Sequence, residues 1–484
     1  MSEASIKHQT ISGMVWSSVQ RFGSMGISFI ANLFLARLLM PEDFGSVGIL
    51  MVFIAIANLF VDAGFGAALI QKKNPTNNDY STIFYLNLII SVVLYLIFYF
   101  TAPFISRFYQ LNELSDLLRI MSLILVFNSF SIIQDNQLRK QLNFKKLSIV
   151  SLISVLIAAG CGITLAYLGF GVWSLVINGL VNAFLKSLLL WTLSTWHPVL
   201  VFSKQSLKEL FSFGGFILAN SLLFTLRKNI QALVIGKIFT ARDLGFYTQA
   251  RKLEEIPSTS FSNIVDQVSF PVFSKMQDNK VQLVNALQKS LKSLAFISFP
   301  LIILLIVIAD SLITILFTEK WAESVPYFQI LCIGALASCL QAANANVVNA
   351  LGKSAFYFKF SVIKTLVLFV FIAVGSVFGM KGLLYGCVIG SWFDYFINAW
   401  LVTRFTHYTI LHQLKDIFPI LIISIVVGVT TWFFGKYLIN NNIIEMILQM
   451  FIYIIIYLGL SYFLKIETCV SLFTMAKKYI RKYD

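Results

Sequence analysis

Apolar stretches long enough to cross a membrane recur along the whole chain, and they constrain its fold more than any motif does. A spanning helix needs about 20 mostly apolar residues, and about fourteen windows meet that description, separated by short polar joints. With 58% hydrophobic and 12% charged residues, the composition excludes an ordinary soluble domain. The windows are 11–36, 43–70, 80–101, 115–135, 148–168, 171–193, 207–236, 244–274, 291–309, 322–349, 356–378, 382–403, 416–435 and 443–464.

The apolar windows predict helices rather than the strands of a membrane barrel. Barrel strands alternate apolar and polar residues, whereas the run 301–308 is apolar on every face. We therefore predict an all-α polytopic membrane protein. Residues 1–10 lack the basic start, the apolar stretch and the cleavage site of a signal peptide, so we expect the first span to be retained.

The distribution of positive charge predicts the orientation of the chain in its membrane. Lys and Arg are retained on the cytoplasmic side, and most of the 37 such residues fall in segments that are cytoplasmic if the N-terminus is inside. Both termini are then cytoplasmic. The net charge of +15 needs no nucleic-acid partner, because topology and anionic lipid headgroups account for it. The basic C-terminal tail contains Lys477, Lys478, Arg481 and Lys482.

The chain contains an internal repeat. The segment 32–45 aligns with 232–245, matching Arg37 to Lys237 and Gly45 to Gly245, with Asp43 and Asp243 also aligned. A weaker echo relates 169–174 to 379–384, so the copies cover roughly 11–205 and 211–407. Units with an even number of spans form a parallel repeat, between whose halves transporters commonly bind substrate. We predict two six-helix lobes, 1–205 and 206–410, followed by two further helices and the basic tail in 411–484.

Seven cations fall inside the predicted spans. A cation at the centre of a spanning helix costs about 3 kcal/mol, so such residues usually face a water-filled or protein-lined interior that an anion can reach. The pattern favours a transporter with an anionic substrate. The seven are Arg21, Lys186, Arg227, Lys228, Arg251, Lys252 and Lys364.

Two of these cations have possible partners on their own helix. Arg251 and Lys252 precede Glu254 and Glu255, and Arg251 can pair with either carboxylate at a spacing of three or four residues. The pair is therefore either part of a substrate passage or a structural clamp.

The other cations also have ordinary interpretations. Arg227 and Lys228 can reach the interface if their helix is shifted by a turn. For Lys364, which lies near the start of its window, we favour such snorkelling over substrate contact. Lys186 fits either role, and the sequence shows no partner for it.

Embedded acids are candidates for energy coupling. Asp62 is the most informative, because an intramembrane carboxylate is a default site for binding a proton or a sodium ion. It precedes Ala-Gly-Phe-Gly, where small residues allow close helix packing. We favour the alternative that Asp62 is a helix-end carboxylate bonded to backbone or to a neighbouring cation.

Other catalytic or metal-binding motifs are lacking in the sequence. The five cysteines have no CxxC spacing, and the four histidines are too dispersed for a helical metal motif. No P-loop or nucleophile elbow occurs. We expect no catalytic residue, no metal site and no cofactor.

Four motifs resemble one family of transporters. They are Ala36-Arg-Leu-Leu-Met-Pro-Glu-Asp-Phe-Gly45, Asp62-Ala-Gly-Phe-Gly-Ala-Ala-Leu-Ile-Gln71, Leu138-Arg-Lys-Gln-Leu-Asn-Phe-Lys145 and Gly169-Phe-Gly-Val-Trp-Ser-Leu175. In order and spacing they are similar to the polysaccharide transporters of the multidrug, oligosaccharidyl-lipid and polysaccharide exporter superfamily, and to its branch of colanic-acid and teichuronic-acid exporters. The second half of the chain resembles the family mainly through the repeat.

The resemblance implies a substrate and a mechanism. It implies two six-helix lobes around a central cavity that opens alternately to each side. Such an alternating-access flippase moves an undecaprenyl-pyrophosphate-linked oligosaccharide outward across a bacterial inner membrane, for O-antigen, capsule or exopolysaccharide synthesis. The implied partners are membrane lipids and, further along the pathway, a polysaccharide polymerase or export machinery. Arg21 resembles the arginine that flippases of this superfamily place in the cavity, so we rank it first among the seven cations. Arg227, Lys228, Arg251 and Lys252 come next.

Two other functions compete with this prediction. A drug or cation antiporter of the same superfamily should place acids in its cavity, whereas here embedded cations outnumber embedded acids. A polymerase or glycosyltransferase usually needs sizeable extramembrane loops, which the short polar joints do not provide. We therefore expect a transporter and not an enzyme.

Overall fold

Helices build the described part of the chain, with no strand among those residues. The computed structural model describes residues 3–438, 442–471 and 474, without the side chains of 3–10, 211–214, 216, 262–264, 266–268 and 436–438. The predicted basic tail with Lys477, Lys478, Arg481 and Lys482 lies outside the described residues. The helices are α1 (Glu3–Leu38), α2 (Pro41–Asp62), α3 (Phe65–Gln71), α4 (Asn77–Tyr109), α5 (Leu114–Met121), α6 (Leu123–Lys140), α7 (Phe144–Tyr167), α8 (Trp173–Leu193), α9 (Lys204–Ile238), α10 (Ala241–Lys275), α11 (Lys280–Val307), α12 (Ala309–Phe317), α13 (Ser324–Ala350), α14 (Ser354–Val377), α15 (Gly379–Phe405), α16 (Ile410–Leu438) and α17 (Asn442–Phe463).

Each predicted window coincides with helical structure, which confirms the all-α class. Among the described residues, ten helical stretches are long and apolar enough to cross a membrane. The helices α1, α9, α10 and α15 are not among these ten. The count of about fourteen spans therefore stays a prediction, while the multi-pass architecture is established.

The chain forms two compact units, residues 1–245 and 246–484, which meet inside α10. In the first unit α1 packs along α7, α7 along α8, and α6 against both α4 and α8. Polar side chains join α1 to α7: Ser148 Oγ donates to the carbonyl of Trp16 at 2.7 Å, and Gln20 Nε2 donates to Ser151 Oγ at 2.8 Å. The lobe boundaries expected from the repeat, 1–205, 206–410 and 411–484, stay a prediction.

The second unit contains a close pair of helices, α14 and α15. A Cβ atom on Gly382 would lie 2.5 Å from the carbonyl oxygen of Gly375, and one on Gly386 would lie 2.4 Å from that of Phe371. Small residues let helices approach closely in a membrane, where apolar surface alone gives little driving force for association. The helix α13 packs on α15, α11 packs on α13 and α16, and α17 packs on α16.

The second predicted window is not one continuous helix. The helix α2 ends at Asp62, and Ala63 and Gly64 both take left-handed backbone angles, with φ of 44° and 73°, before α3 begins. This conformation is easy for glycine but strained for alanine. The break places Asp62 at the junction of two short helical segments within a spanning stretch.

The repeat motif marks two equivalent helix starts. Asp43 Oδ2 accepts from the backbone N–H of Met40 at 2.9 Å, and Asp243 Oδ2 accepts from that of Thr240 at 3.2 Å. Each carboxylate thus satisfies a backbone donor just before its helix. The shared aspartate in the two copies is explained by this capping role.

The shared glycine of the repeat marks a reciprocal contact between the copies. A Cβ atom on Gly45 would lie 1.8 Å from the carbonyl oxygen of Ala241, and one on Gly245 would lie 1.9 Å from that of Pro41. All four residues belong to the first unit. Only glycine allows this approach, because any side chain would overlap a backbone carbonyl.

We expect Gly45→Ala to destabilise the protein, since the backbones of α2 and α10 would have to separate. Overpacking of this kind costs about 1–3 kcal/mol. Thermal unfolding of the purified protein in detergent measures the effect. The matched control is Gly26→Ala in α1, where a Cβ atom meets nothing within 4 Å. Equal unfolding temperatures for Gly45→Ala and the control would contradict this account of the contact.

Candidate functional site

Arg21 lies on α1, the helix packed along α7. Its neighbour Gln20 is bonded to α7, and Gly23 abuts Leu152 of α7, whereas the Arg21 side chain is exposed. Among the described residues, no carboxylate forms a salt bridge with Arg21. A guanidinium without an internal counterion keeps its five N–H donors for a ligand. Arg21 thus differs from several of the other embedded cations described below.

Lys186 has the partner that the sequence did not reveal. Its Nζ lies 3.5 Å from Oδ1 of Asp135 on α6, and Oδ2 of the same carboxylate accepts from Arg139 Nε. One aspartate therefore bridges a cation on α8 and a cation on its own helix. Because Lys186 is already paired, a substrate anion would have to compete with Asp135 for its ammonium group.

Arg227 and Lys228 lie in the second half of α9. Arg227 is partly buried, and Lys228 is exposed. The adjacent Asn229 is turned into its own helix, where Nδ2 donates to the carbonyl of Thr225 at 2.8 Å. The substrate-binding role expected of the two cations stays a prediction.

Arg251 and Lys252 lie near the start of α10, in the second unit. The guanidinium Nε of Arg251 is 3.2 Å from Glu255 Oε1 and 3.9 Å from Glu254 Oε2. The pairing predicted from the spacing is therefore confirmed. Glu254 is only 6% exposed, so Arg251 compensates a buried carboxylate, while the Lys252 side chain is exposed.

The expectation that Lys364 snorkels to the interface is wrong. Its side chain on α14 is buried, with 3% exposure. The ammonium donates to Asn398 Oδ1 on α15 at 2.8 Å and lies 4.6 Å from the centre of the Tyr357 ring. A close pair of helices and two polar partners make burial more favourable than extension to the headgroups, because an aromatic face and an amide oxygen both stabilise a cation.

Asp62 caps the start of α3. Its Oδ1 accepts a hydrogen bond from the backbone N–H of Gly66 at 3.2 Å. This backbone bond matches the alternative we favoured for Asp62. It does not exclude an ionic role, because the other carboxylate oxygen has further lone pairs.

The sequence reasoning missed a polar contact between α6 and α2. Asn128 Nδ2 donates to Asn58 Oδ1 on α2 at 3.0 Å, and Gln134, Asp135 and Asn136 follow in the same helix. Gln134 is 1% exposed and Asn136 is 9% exposed. For Asp135 the sequence favours an ordinary interfacial role, and the available signal for its neighbours was a run of three polar residues at the end of window 115–135.

A second network joins distant parts of the second unit. Lys292 Nζ on α11 is 3.4 Å from Asp416 Oδ1 on α16 and 2.9 Å from Glu467 Oε2, beyond α17. Asp416 Oδ2 also accepts from Gln288 at 2.9 Å and from the Tyr408 hydroxyl at 2.6 Å. The network anchors the last two helices to α11.

Outside the spanning segments, Lys72 links the turn after α3 to two helices. Its Nζ donates to Asp79 Oδ1 at 3.0 Å and to Glu209 Oε2 at 3.2 Å. The hydrogen bond to Asp79 raises the pKa of Lys72 above its ordinary value. The ammonium therefore stays charged from neutral into strongly alkaline pH.

Two surface cavities lie in the first unit, beside the turn between α6 and α7. Their volumes are about 270 and 300 Å³. The first is lined by residues that include Trp16 and Lys145, and the second by residues that include Trp196 and Lys140. None of the seven embedded cations lines either cavity. Within the described ranges, no group of three His, Cys, Asp or Glu side chains could hold a metal ion.

Comparison with known proteins links this chain to polysaccharide synthesis. A family model described as polysaccharide biosynthesis protein matches residues 34–326. The teichuronic acid biosynthesis protein TuaB of Bacillus subtilis is 31% identical over 374 residues, which are 76% of this chain and 77% of TuaB. The lipopolysaccharide biosynthesis protein WzxC of Escherichia coli is 26% identical over 379 residues, covering 77% of this chain and 76% of WzxC. These matches confirm the resemblance that the four motifs indicated.

A solved structure confirms the fold. The lipid II flippase MurJ in an inward closed conformation superposes with a TM-score of 0.74, over 93% of this chain and 99% of that one. Only 14% of the aligned residues are identical, so the likeness bears on the fold alone.

The hydrogen bond between Lys364 and Asn398 gives a test of the buried cation. We expect Asn398→Leu to lower stability by about 1–3 kcal/mol, because it removes the oxygen that compensates a buried ammonium. Lys364→Met should cancel part of this loss in the double variant, since the group left unsatisfied is then gone. Thermal unfolding in detergent measures all three variants. Strictly additive effects would contradict the assignment.

Proposed function

Because the chain belongs to the polysaccharide biosynthesis protein family, we propose that it is a flippase for a lipid-linked oligosaccharide. The substrate is an undecaprenyl-pyrophosphate-linked repeat unit, which is moved outward by alternating access for assembly into a surface polysaccharide. The observation that carries the proposal is Arg21, an exposed guanidinium on α1 with no carboxylate partner among the described residues. A guanidinium of this kind can bind the oxygens of a pyrophosphate.

The chemistry of the substrate explains why cations belong in the passage. A pyrophosphate and many hydroxyl groups would each lose water on crossing hydrocarbon, so the carrier must replace those hydrogen bonds. The polyprenyl tail is apolar and can remain in lipid throughout. Arginine binds phosphate oxygens in pairs through its planar fork, while lysine acts as a flexible point charge.

The embedded cations divide by how far their side chains are exposed and by the contacts described above. We assign Arg21, the exposed Lys228 and Lys252 and the partly buried Arg227 to the substrate anion. Arg251 is already held by Glu254 and Glu255, so we assign it to positioning Lys252 and the start of α10.

Lys364 and Lys186 receive different roles. Lys364 is buried against Asn398, and we assign it to holding α14 on α15. Lys186 is intermediate between the cations assigned to the substrate and those assigned to structure. Its distance to Asp135 is long for an ion pair, at 3.5 Å, and its side chain is 36% exposed.

The cellular setting follows from the same proposal. We infer a bacterial inner (cytoplasmic) membrane with both termini inside, since the Lys and Arg distribution favours that orientation. The chain transports and does not catalyse, and its product passes to a polysaccharide polymerase or export machinery. Its other partners are the membrane lipids around its apolar helices.

A complementation experiment tests the proposal. In a strain lacking the gene, we expect lost surface polymer and accumulated lipid-linked oligosaccharide, both restored by the wild-type gene. Arg21→Ala should reduce restoration at least about tenfold, because charge-assisted hydrogen bonds are worth about 1.5–3 kcal/mol each. Arg21→Lys should restore part of the activity, since it keeps the charge without the planar fork.

The matched control is Arg119→Ala, which removes a partly exposed arginine paired with Asp116 at 3.3 Å. It should complement fully. Membrane protein levels are measured by immunoblot for every variant. Full complementation by well-expressed Arg21→Ala would remove Arg21 from the mechanism, and unchanged intermediate and polymer in the deletion strain would contradict the proposed function.

A further inference from the structure

The break between α2 and α3 has two features that are typical of a binding site, an interrupted helix and a strained backbone. Backbone inside a membrane must satisfy its hydrogen bonds internally, so a spanning helix is rarely interrupted without a compensating use. Here Ala63, which is not a glycine, holds a φ of 44° at the break. Strained residues of this kind persist only where surrounding contacts impose them, and they concentrate at functional sites.

Two polar side chains converge beside the break. The Asp62 carboxylate already accepts from Gly66 N–H through Oδ1. Asn136 on α6 is 9% exposed, and its Nδ2 has no hydrogen-bond partner. A Cβ atom placed on Gly66 would lie 2.7 Å from Asn136 Nδ2 and 2.9 Å from Asp62 Oδ1. The glycine therefore leaves room for the carboxylate and a buried, unpartnered amide to face the same small space.

The groups around this space favour a proton over a metal ion. Both neighbours of the carboxylate present N–H donors, namely the Gly66 backbone and the Asn136 amide, and such donors complement an oxygen anion. A hard metal ion needs about six oxygen ligands instead. An amide can serve both charge states, because it donates to a carboxylate and, after rotation, accepts from a carboxylic acid.

The charges on the packed helices define the electrostatic surroundings of Asp62. Asp135, the residue before Asn136 on α6, adds a negative charge to these surroundings, and its carboxylate is shared by Arg139 and Lys186. On α4, in the orientation that satisfies its amide, Asn87 donates to the Val61 carbonyl at 2.8 Å.

The helices packed against α2 and α3 carry other charged residues. Some of these bond to groups other than Asp62, and the rest lie along α9. At the far end of α3, Lys140 of α6 donates to the carbonyls of Leu69 and Ile70. On α9, Glu209 pairs with Lys72. The remaining cations of α9 include Arg227 and Lys228.

We propose that Asp62 and Asn136 form a proton-binding site at the helix break, and that Asp135 links this site to Lys186. A proton from water adds to the Asp62 carboxylate, forming an O–H bond that donates to the rotated amide of Asn136. The product is a neutral carboxylic acid, and no other bond forms or breaks.

The link to Lys186 rests on the proposed function and makes it more specific. When a phosphate anion draws the Lys186 ammonium from Asp135, the charge on Asp135 is less compensated and acts more strongly on Asp62. Proton uptake by Asp62 then becomes more favourable. By linkage, a protonated Asp62 makes the release of Lys186 to the anion easier by the same factor. Substrate anion and proton thus bind with positive cooperativity.

Infrared spectroscopy of the reconstituted full-length protein tests the site without any substrate. As the pH is lowered, we expect the carbonyl stretch of a buried carboxylic acid to appear in the wild type and to be missing in Asp62→Asn. Asn136→Leu should keep the band but move it to higher frequency, because the hydrogen bond to the acid is lost. The control Asp116→Asn removes an exposed aspartate and should leave the band unchanged. An identical band in Asp62→Asn, or an unmoved band in Asn136→Leu, would overturn the site.

A second measurement tests the link to Lys186. Inorganic pyrophosphate is added to the purified protein in weak buffer, and proton uptake is followed with a pH indicator. Uptake is expected in the wild type and is expected to be lost in both Asp62→Asn and Lys186→Met. Uptake that persists in Lys186→Met, or an absence of uptake in the wild type, would overturn the link. Neither result affects the infrared test of the proton site. The flippase function is tested separately, by the complementation experiment.

Discussion

Charge inside an apolar span must be compensated, and this constraint organises the interior of the protein. The compensation takes several forms. Arg251 is held by two glutamates on its own helix, Lys186 by an aspartate on the neighbouring helix, and Lys364 by an amide and an aromatic ring. Arg21 lacks a carboxylate partner within the described residues. The difference separates cations that stabilise the fold from a cation that remains able to bind a ligand.

The repeat gives the chain a second constraint, which acts on backbone rather than charge. The two copies begin equivalent helices with the same capping aspartate and meet through Gly45 and Gly245. These are the positions that the sequence alignment of the copies picks out. An ancestral feature of each copy has therefore become a contact between them.

Much of the fold follows from local sequence. Each apolar window is helical because its composition and length favour nothing else in a membrane, and the pairing of Arg251 follows from a spacing of three and four residues on one helix. Contacts between residues that are distant along the chain could not be predicted from local sequence. The partners of Lys364 and Lys292 lie 34 and 175 residues away along the chain, and no periodicity links them. The break after Asp62 follows only in part. We expect Asp62 to be a helix-end carboxylate, but the mostly apolar window 43–70 predicts a single span and does not show that a second helix begins at Phe65.

The proposed function sets a requirement on these charges. In that proposal a pyrophosphate replaces its water by the guanidinium of Arg21, and Lys186 leaves Asp135 before it contributes. In the proposed proton site, the charge on Asp135 connects this change to Asp62.

A direct transbilayer assay tests the central claim, that this chain moves a lipid-linked oligosaccharide across a membrane. The purified protein is reconstituted into vesicles containing lipid-linked oligosaccharide extracted from the deletion strain, and a membrane-impermeant oxidant labels the sugars exposed outside. The account predicts that the wild type makes the inner-leaflet pool reactive and that Arg21→Ala leaves it largely protected. An inner pool that stays protected in wild-type vesicles would contradict the account.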